Sequence, residues 1–149
     1  MRVSTRFSDS IHILAFLEIY QSSTLSSETI AKSIETSPVV VRRLMGTLRE
    51  AGLIATKKGT AEPKLSKTPK EITLLDIYLA VEGDRQLFTL DTNTNPDCIV
   101  GGNIQKVLGT YYEEAKMAAL RKFNNVSLQD IIETILVDQK AKERDVKIN

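Results

Sequence analysis

The sequence predicts a mainly α-helical protein with a small β-hairpin: a winged helix-turn-helix domain followed by a long C-terminal helix. Three observations carry this. The stretch LSSETIAKSIETSPVVVRRLMGTLREAGLI, from Leu25 to Ile54, reads as two helices around a tight turn. The segment Leu53 to Lys70 then alternates short apolar pieces with Lys, Thr, Gly and Pro, the pattern of a two-stranded wing. From Asn103 to Asn124, the apolar residues Ile104, Val107, Leu108, Tyr111, Ala115 and Ala118 keep helical spacing. A stripe of that length needs more partners than one small domain usually supplies.

The first helix is expected from Ser8 to Gln21, because Phe7, Ile11, Leu14, Ala15 and Leu17 recur at helical spacing before the polar Ser22-Ser23-Thr24. Ser27 is expected to cap the second, with Ile30, Ala31 and Ile34 facing inward and Glu35-Thr36-Ser37 as the turn. Ser37 then serves as N-cap of a helix from Pro38 to Ala51. Proline at the first position loses no hydrogen bond, and Gly52 can take the left-handed conformation that stops the helix. The tip of the wing is placed at Lys58 to Pro63. A fourth helix starts at Thr73, with Asp76 at the reciprocal capping position, and ends at Gly83. Leu87 to Gly102 is a loop rich in Asp, Asn, Pro and Gly. Ser127 and Asp130 cap a last helix through Ile131, Ile132, Ile135 and Leu136, and the polar tail from Asp138 to Asn149 is expected to fray.

At 149 residues and 42% hydrophobic, the chain can bury one core. The expected division is a winged helix-turn-helix domain over 1–83, a connecting or effector loop over 84–102 and a helical assembly region over 103–149. Ile11 to Tyr20 is too short and too polar to span a bilayer, so a cytoplasmic protein without membrane contact is expected. Cys98 is the only cysteine and His12 the only histidine, which excludes an internal disulfide and a conventional zinc site. They also leave a cysteine-dependent enzyme without an orienting third group, so no enzymatic activity is expected. Residues 1–70 hold 11 basic and 6 acidic side chains, a net +5, whereas 71–149 hold 9 and 13, a net −4. A basic front half suits a nucleic-acid reader joined to a separate assembly or sensing part.

On the helix from Pro38, Val41, Leu44, Met45 and Leu48 stand at i, i+3, i+4 and i+7 and form the buried face. Val39, Val40, Arg42, Arg43, Gly46 and Thr47 then face outward. A recognition helix reads base edges with its N-terminal residues, where arginine pairs with guanine and a small apolar group touches a thymine methyl. Arg42 and Arg43 point about 100° apart, so one reads a base while the other holds a phosphate, and the spacing leaves open which. Ser27 and Ser37, at the helix starts, are counted with this surface. On the wing, Lys57, Lys58 and Lys64 would neutralise phosphates. A winged-helix protein-interaction module without DNA affinity is the alternative, favoured by the near-neutral total charge.

MRVSTRF at the start, the helix pair ending LREAGLI, EITLLDIYLAVEG from Glu71 to Gly83 and NPDCIVGGNIQKVL from Asn95 to Leu108 together resemble the Rrf2 family of winged-helix transcription regulators. The wording around Cys98 resembles its cluster-free, YwnA-like branch. The resemblance implies a homodimer held by the helix from Ile104, and a palindromic site on double-stranded DNA read by the helix from Pro38. Repression or activation, with repression the favoured of the two, would follow from promoter occupancy. Cluster-binding members carry three cysteines before the long helix. With Cys98 alone, no iron-sulfur cluster is expected, since such a cluster needs about four ligands, mostly thiolates. Cys98 remains a candidate redox or effector residue, although its acidic loop does not favour the thiolate. The wing, KKGTAEPKLSK, lacks the glycine-rich tip of many members, which leaves only its lysine charges to argue from.

Overall fold

The computed structural model describes residues 4–23, 25–56 and 62–148. Its elements are α1 (Arg6–Ile19), α2 (Ser27–Ile34), α3 (Pro38–Glu50), β1 (Ile54–Thr56), β2 (Pro63–Leu65), α4 (Leu74–Val81), α5 (Ile104–Asn124) and α6 (Leu128–Ile148). This is the expected class, mainly helical with a two-stranded antiparallel sheet. Among the described residues, no helix is long and apolar enough to cross a membrane.

Local chemistry sets most of the boundaries. The α2 cap is Ser26 rather than Ser27: its Oγ accepts from the Thr29 amide at 3.2 Å. An N-cap must be extended, and Ser26 has φ −115° and ψ 158°, whereas Ser27 is already the first helical residue. Glu35 closes α2 in the left-handed region at φ 60°. Ser37 Oγ accepts from the Val40 amide at 3.3 Å and Pro38 opens α3. Gly52, at φ 78°, turns the chain out of the helix into β1. The strands pair Ile54 with Leu65, Ala55 with Lys64 and Thr56 with Pro63. Pro63 thus begins β2 instead of belonging to the tip, a place where its missing N–H is tolerated.

Ile13, Leu14, Ile30, Val41, Leu48 and Ile77 fill the centre of the core and are fully buried. Two further segments join it. A 3-10 turn at Pro69–Glu71, not foreseen from the sequence, is closed by Glu71, whose Oε2 accepts from the Thr68 amide at 3.1 Å and the Thr68 hydroxyl at 2.9 Å. It leads into Ile72, whose carbonyl accepts from the Leu128 amide at 2.7 Å, while the Leu74 amide donates to the Val126 carbonyl at 2.9 Å. This stitch draws α6 back onto the front domain, where Leu128 and Ile132 are buried in the common core. The start of α6 thus packs on the core formed by residues of 1–83.

The tail expected to fray is helical, since α6 continues to Ile148. The segment has no Gly or Pro, and pairs one turn apart such as Gln139 with Glu143, at 3.0 Å, support it. α1 starts and ends two residues earlier than the polar punctuation suggested. Phe7 meets Tyr78 at 5.4 Å and Phe123 at 5.3 Å between ring centroids, tying α1, α4 and the end of α5 together. His12 is half-buried and its Nε2 shares a 2.8 Å hydrogen bond with Ser33 Oγ.

Candidate nucleic-acid interface

The rotation of α3 is fixed by burying Val41, Leu44, Met45 and Leu48. Val39 is consequently 55% exposed, and Arg42 and Arg43 are both exposed. Val40 departs from expectation. It is half-buried and packs on the core, because it lies one residue from Val41 and one turn from Leu44. Gly46 opens onto free space, and the Thr47 hydroxyl donates to the Arg43 carbonyl at 3.2 Å, so it is engaged on its own helix. The hydroxyl of Ser37 is likewise engaged as the cap, and Ser27 is half-buried at the start of α2.

Arg42 Nη1 lies 3.5 Å from Glu28 Oε1, whereas Arg43 has no ion pair among the described residues. On the wing, Lys64 is exposed, while Lys57 and Lys58 lie outside the described residues. A groove runs between the start of α2, the flank of α3 and β2, lined by Ser26, Glu28, Arg42, Arg49, Glu62 and Pro63. Arg49 went unnoticed in the sequence. Its signal is the spacing of seven from Arg42, which returns to the same helix face.

The loop before α5 is ordered by its own polar groups. The Asp97 amide donates to Asn95 Oδ1 at 3.0 Å, Thr94 Oγ1 to the Gly101 carbonyl at 2.6 Å, and Gln105 Nε2 to the Asp91 carbonyl at 2.9 Å. A Cβ on Gly101 would overlap the Asn95 carbonyl oxygen, so only glycine fits this close approach. Cys98 is exposed at the turn. Its thiol is held below its usual pKa by the backbone amide of Gly101 and then that of Val100, which outweigh the opposing effect of desolvation. The acidic side chains of the loop thus do not decide its ionisation; the backbone dipoles nearest the sulfur do.

Along α5, Val107 is 50% and Tyr111 63% exposed, with Ala115 and Ala118 also exposed. Ile104 and Leu108 are half-buried. The inward side carries Lys116, buried, its Nζ 3.9 Å from Asp84 Oδ1, and Tyr112, whose ring lies 5.2 Å from that of Phe88.

A family model described as Rrf2, iron-dependent transcriptional regulator, matches residues 3–134. YwnA of Bacillus subtilis (strain 168), a candidate HTH-type transcriptional regulator, is 35% identical over 130 residues, covering 87% of this chain and 96% of YwnA. A crystal structure of a candidate DNA-binding protein superposes with TM-score 0.67 at 34% identity, over 85% of this chain and 98% of that one. CymR, the global cysteine regulator of B. subtilis, shares the fold at 20% identity, with TM-score 0.63 over 89% of this chain and 97% of CymR. The family's description names iron. Cys98 supplies one thiolate where a cluster needs about four ligands, and among the described residues no three His, Cys, Asp or Glu side chains converge on a metal-sized site.

Proposed function

The chain belongs to the Rrf2 family of transcriptional regulators, and from that premise we propose that it binds a palindromic operator as a homodimer and represses by occupying the promoter. The observation that carries this reading is the start of α3. Its caps fix the helix, its buried face fixes the rotation, and Val39, Arg42 and Arg43 are left exposed, as is Lys64 on the wing. Such a surface suits the major groove, with arginine for guanine, Val39 for a thymine methyl and lysine for phosphate. The exposed stripe of Val107, Tyr111, Ala115 and Ala118 on α5 supports pairing of two chains.

In this reading the protein acts in the cytoplasm and needs no iron-sulfur cluster, and any signal reaches it through the loop around Cys98. Titration of duplex DNA at several salt concentrations tests the central claim. Affinity should fall by about a thousandfold or more between 50 and 200 mM salt if six or more phosphates are contacted. Binding that is absent, or indifferent to salt, would favour an interaction module instead.

A further inference from the structure

Arg42 and Arg43 are neighbours on α3, yet the fold treats them differently. Their side chains leave the helix about 100° apart. Arg42 leans onto Glu28 at 3.5 Å, with the two side chains 55% and 64% exposed. Arg43 meets no acid among the described residues. Glu28 stands in the first turn of α2, on the groove shared with Ser26, Arg49 and the wing's Pro63. In helix-turn-helix docking the first helix of the pair crosses the phosphate backbone while the second enters the groove. In that docking Arg42, held at the start of α2, would lie towards the phosphate backbone. A carboxylate in the first turn of α2 also occupies the position where that helix's free N–H groups would attract a phosphate.

We propose that Glu28 is a positioning residue that competes with DNA phosphate for Arg42, limiting affinity for duplex of any sequence and leaving base reading to Arg43. This rests on the DNA-binding reading above. Phosphate contacts raise affinity for every sequence alike, whereas base contacts separate one sequence from another. Holding one arginine on an acid tempers the first kind of contact without touching the second. The pair is exposed and contributes little to folding, so its effect lies in binding.

The test is a cycle of the full chain, Glu28→Gln, Arg42→Ala and the double variant. Each is titrated across salt against a random-sequence duplex and a duplex selected from a random pool. Glu28→Gln should bind both duplexes about fivefold tighter. Its plot of log affinity against log salt should steepen by about 0.9, one further phosphate neutralised. The preference for the selected duplex should stay at the parent's value, and most of the gain should vanish when Arg42 is alanine. No change in affinity and slope, or weaker binding, overturns the proposal. An equal gain without Arg42 also overturns it, since Glu28 would then act by bulk charge alone. If the parent binds neither duplex at any salt, the DNA-binding reading falls and the inference with it, an outcome visible before any variant is made.

Discussion

The side chains proposed for recognition sit within a few positions of one another and answer to different physics. Arg43 is exposed and unpaired among the described residues, so Arg43→Ala should cost about 1–3 kcal/mol on the preferred duplex and relax selectivity at one base position per half-site. Lys64→Ala should instead weaken all duplexes alike and flatten the salt slope by about 0.9. Equal loss on preferred and random duplexes for Arg43→Ala would remove it from the reading face. The arginines were legible because helical periodicity assigns faces without any tertiary knowledge. The tether from Glu28 to Arg42 was not, because it joins two helices whose relative placement no local pattern encodes. Cys98 shows the same limit: its acidic neighbours in sequence suggested a poor thiolate, but the amides of Gly101 and Val100 face the sulfur in space. Because its pKa is lowered, the thiolate is populated from a lower pH upward. Iodoacetamide should therefore modify Cys98 with a pH midpoint below that of free N-acetylcysteine in the same buffer; a midpoint at or above it would contradict the loop geometry.

Among the elements, α6 divides into a structural beginning and a solvent-exposed remainder. Leu128 is fully buried, and its amide is held by the Ile72 carbonyl, whereas every side chain described from Glu133 to Lys147 is exposed. Leu128→Ala should accordingly cost about 2–5 kcal/mol in urea unfolding, the range for a large core truncation. Ending the chain after Val137 should change stability by less than about 0.5 kcal/mol, as for surface changes elsewhere. A large loss on truncation would mean that the distal helix packs more than its exposure indicates. The caps at Ser37, Thr73 and Ser127 were readable because capping is settled within four residues, and each has the expected hydrogen bonds. The recruitment of α6 into the front core was not readable. It depends on a bridge between Thr73 and Ser127, over fifty positions apart, while the sequence pattern of α6 marks only which of its faces is apolar.

At the scale of the whole molecule, the proposed reading surface and the proposed seam lie on elements tied together by a packed junction. Phe7 of α1, Tyr78 of α4 and Phe123 of α5 meet edge-to-face or tilted, and Lys116 reaches Asp84 beyond α4. The long helix is thereby anchored to the domain that carries α3, so pairing two copies through α5 would fix the distance between two copies of α3. Half-sites read by paired recognition helices lie about 34–36 Å apart, one turn of DNA, and only a rigid connection can hold that spacing. Tyr111, 63% exposed, carries the largest side chain of the proposed seam. Tyr111→Asp should therefore leave helical content and urea midpoint at the parent's values while placing a charge where two copies would meet, a burial too costly for a close pair to accept. In sedimentation at micromolar concentration the parent should run at twice the 16.6 kDa chain mass and the variant near that mass itself. The variant should also lose its preference for a palindrome over a single half-site. A parent that sediments as one chain, or a variant that stays paired and still prefers the palindrome, would move the seam away from α5.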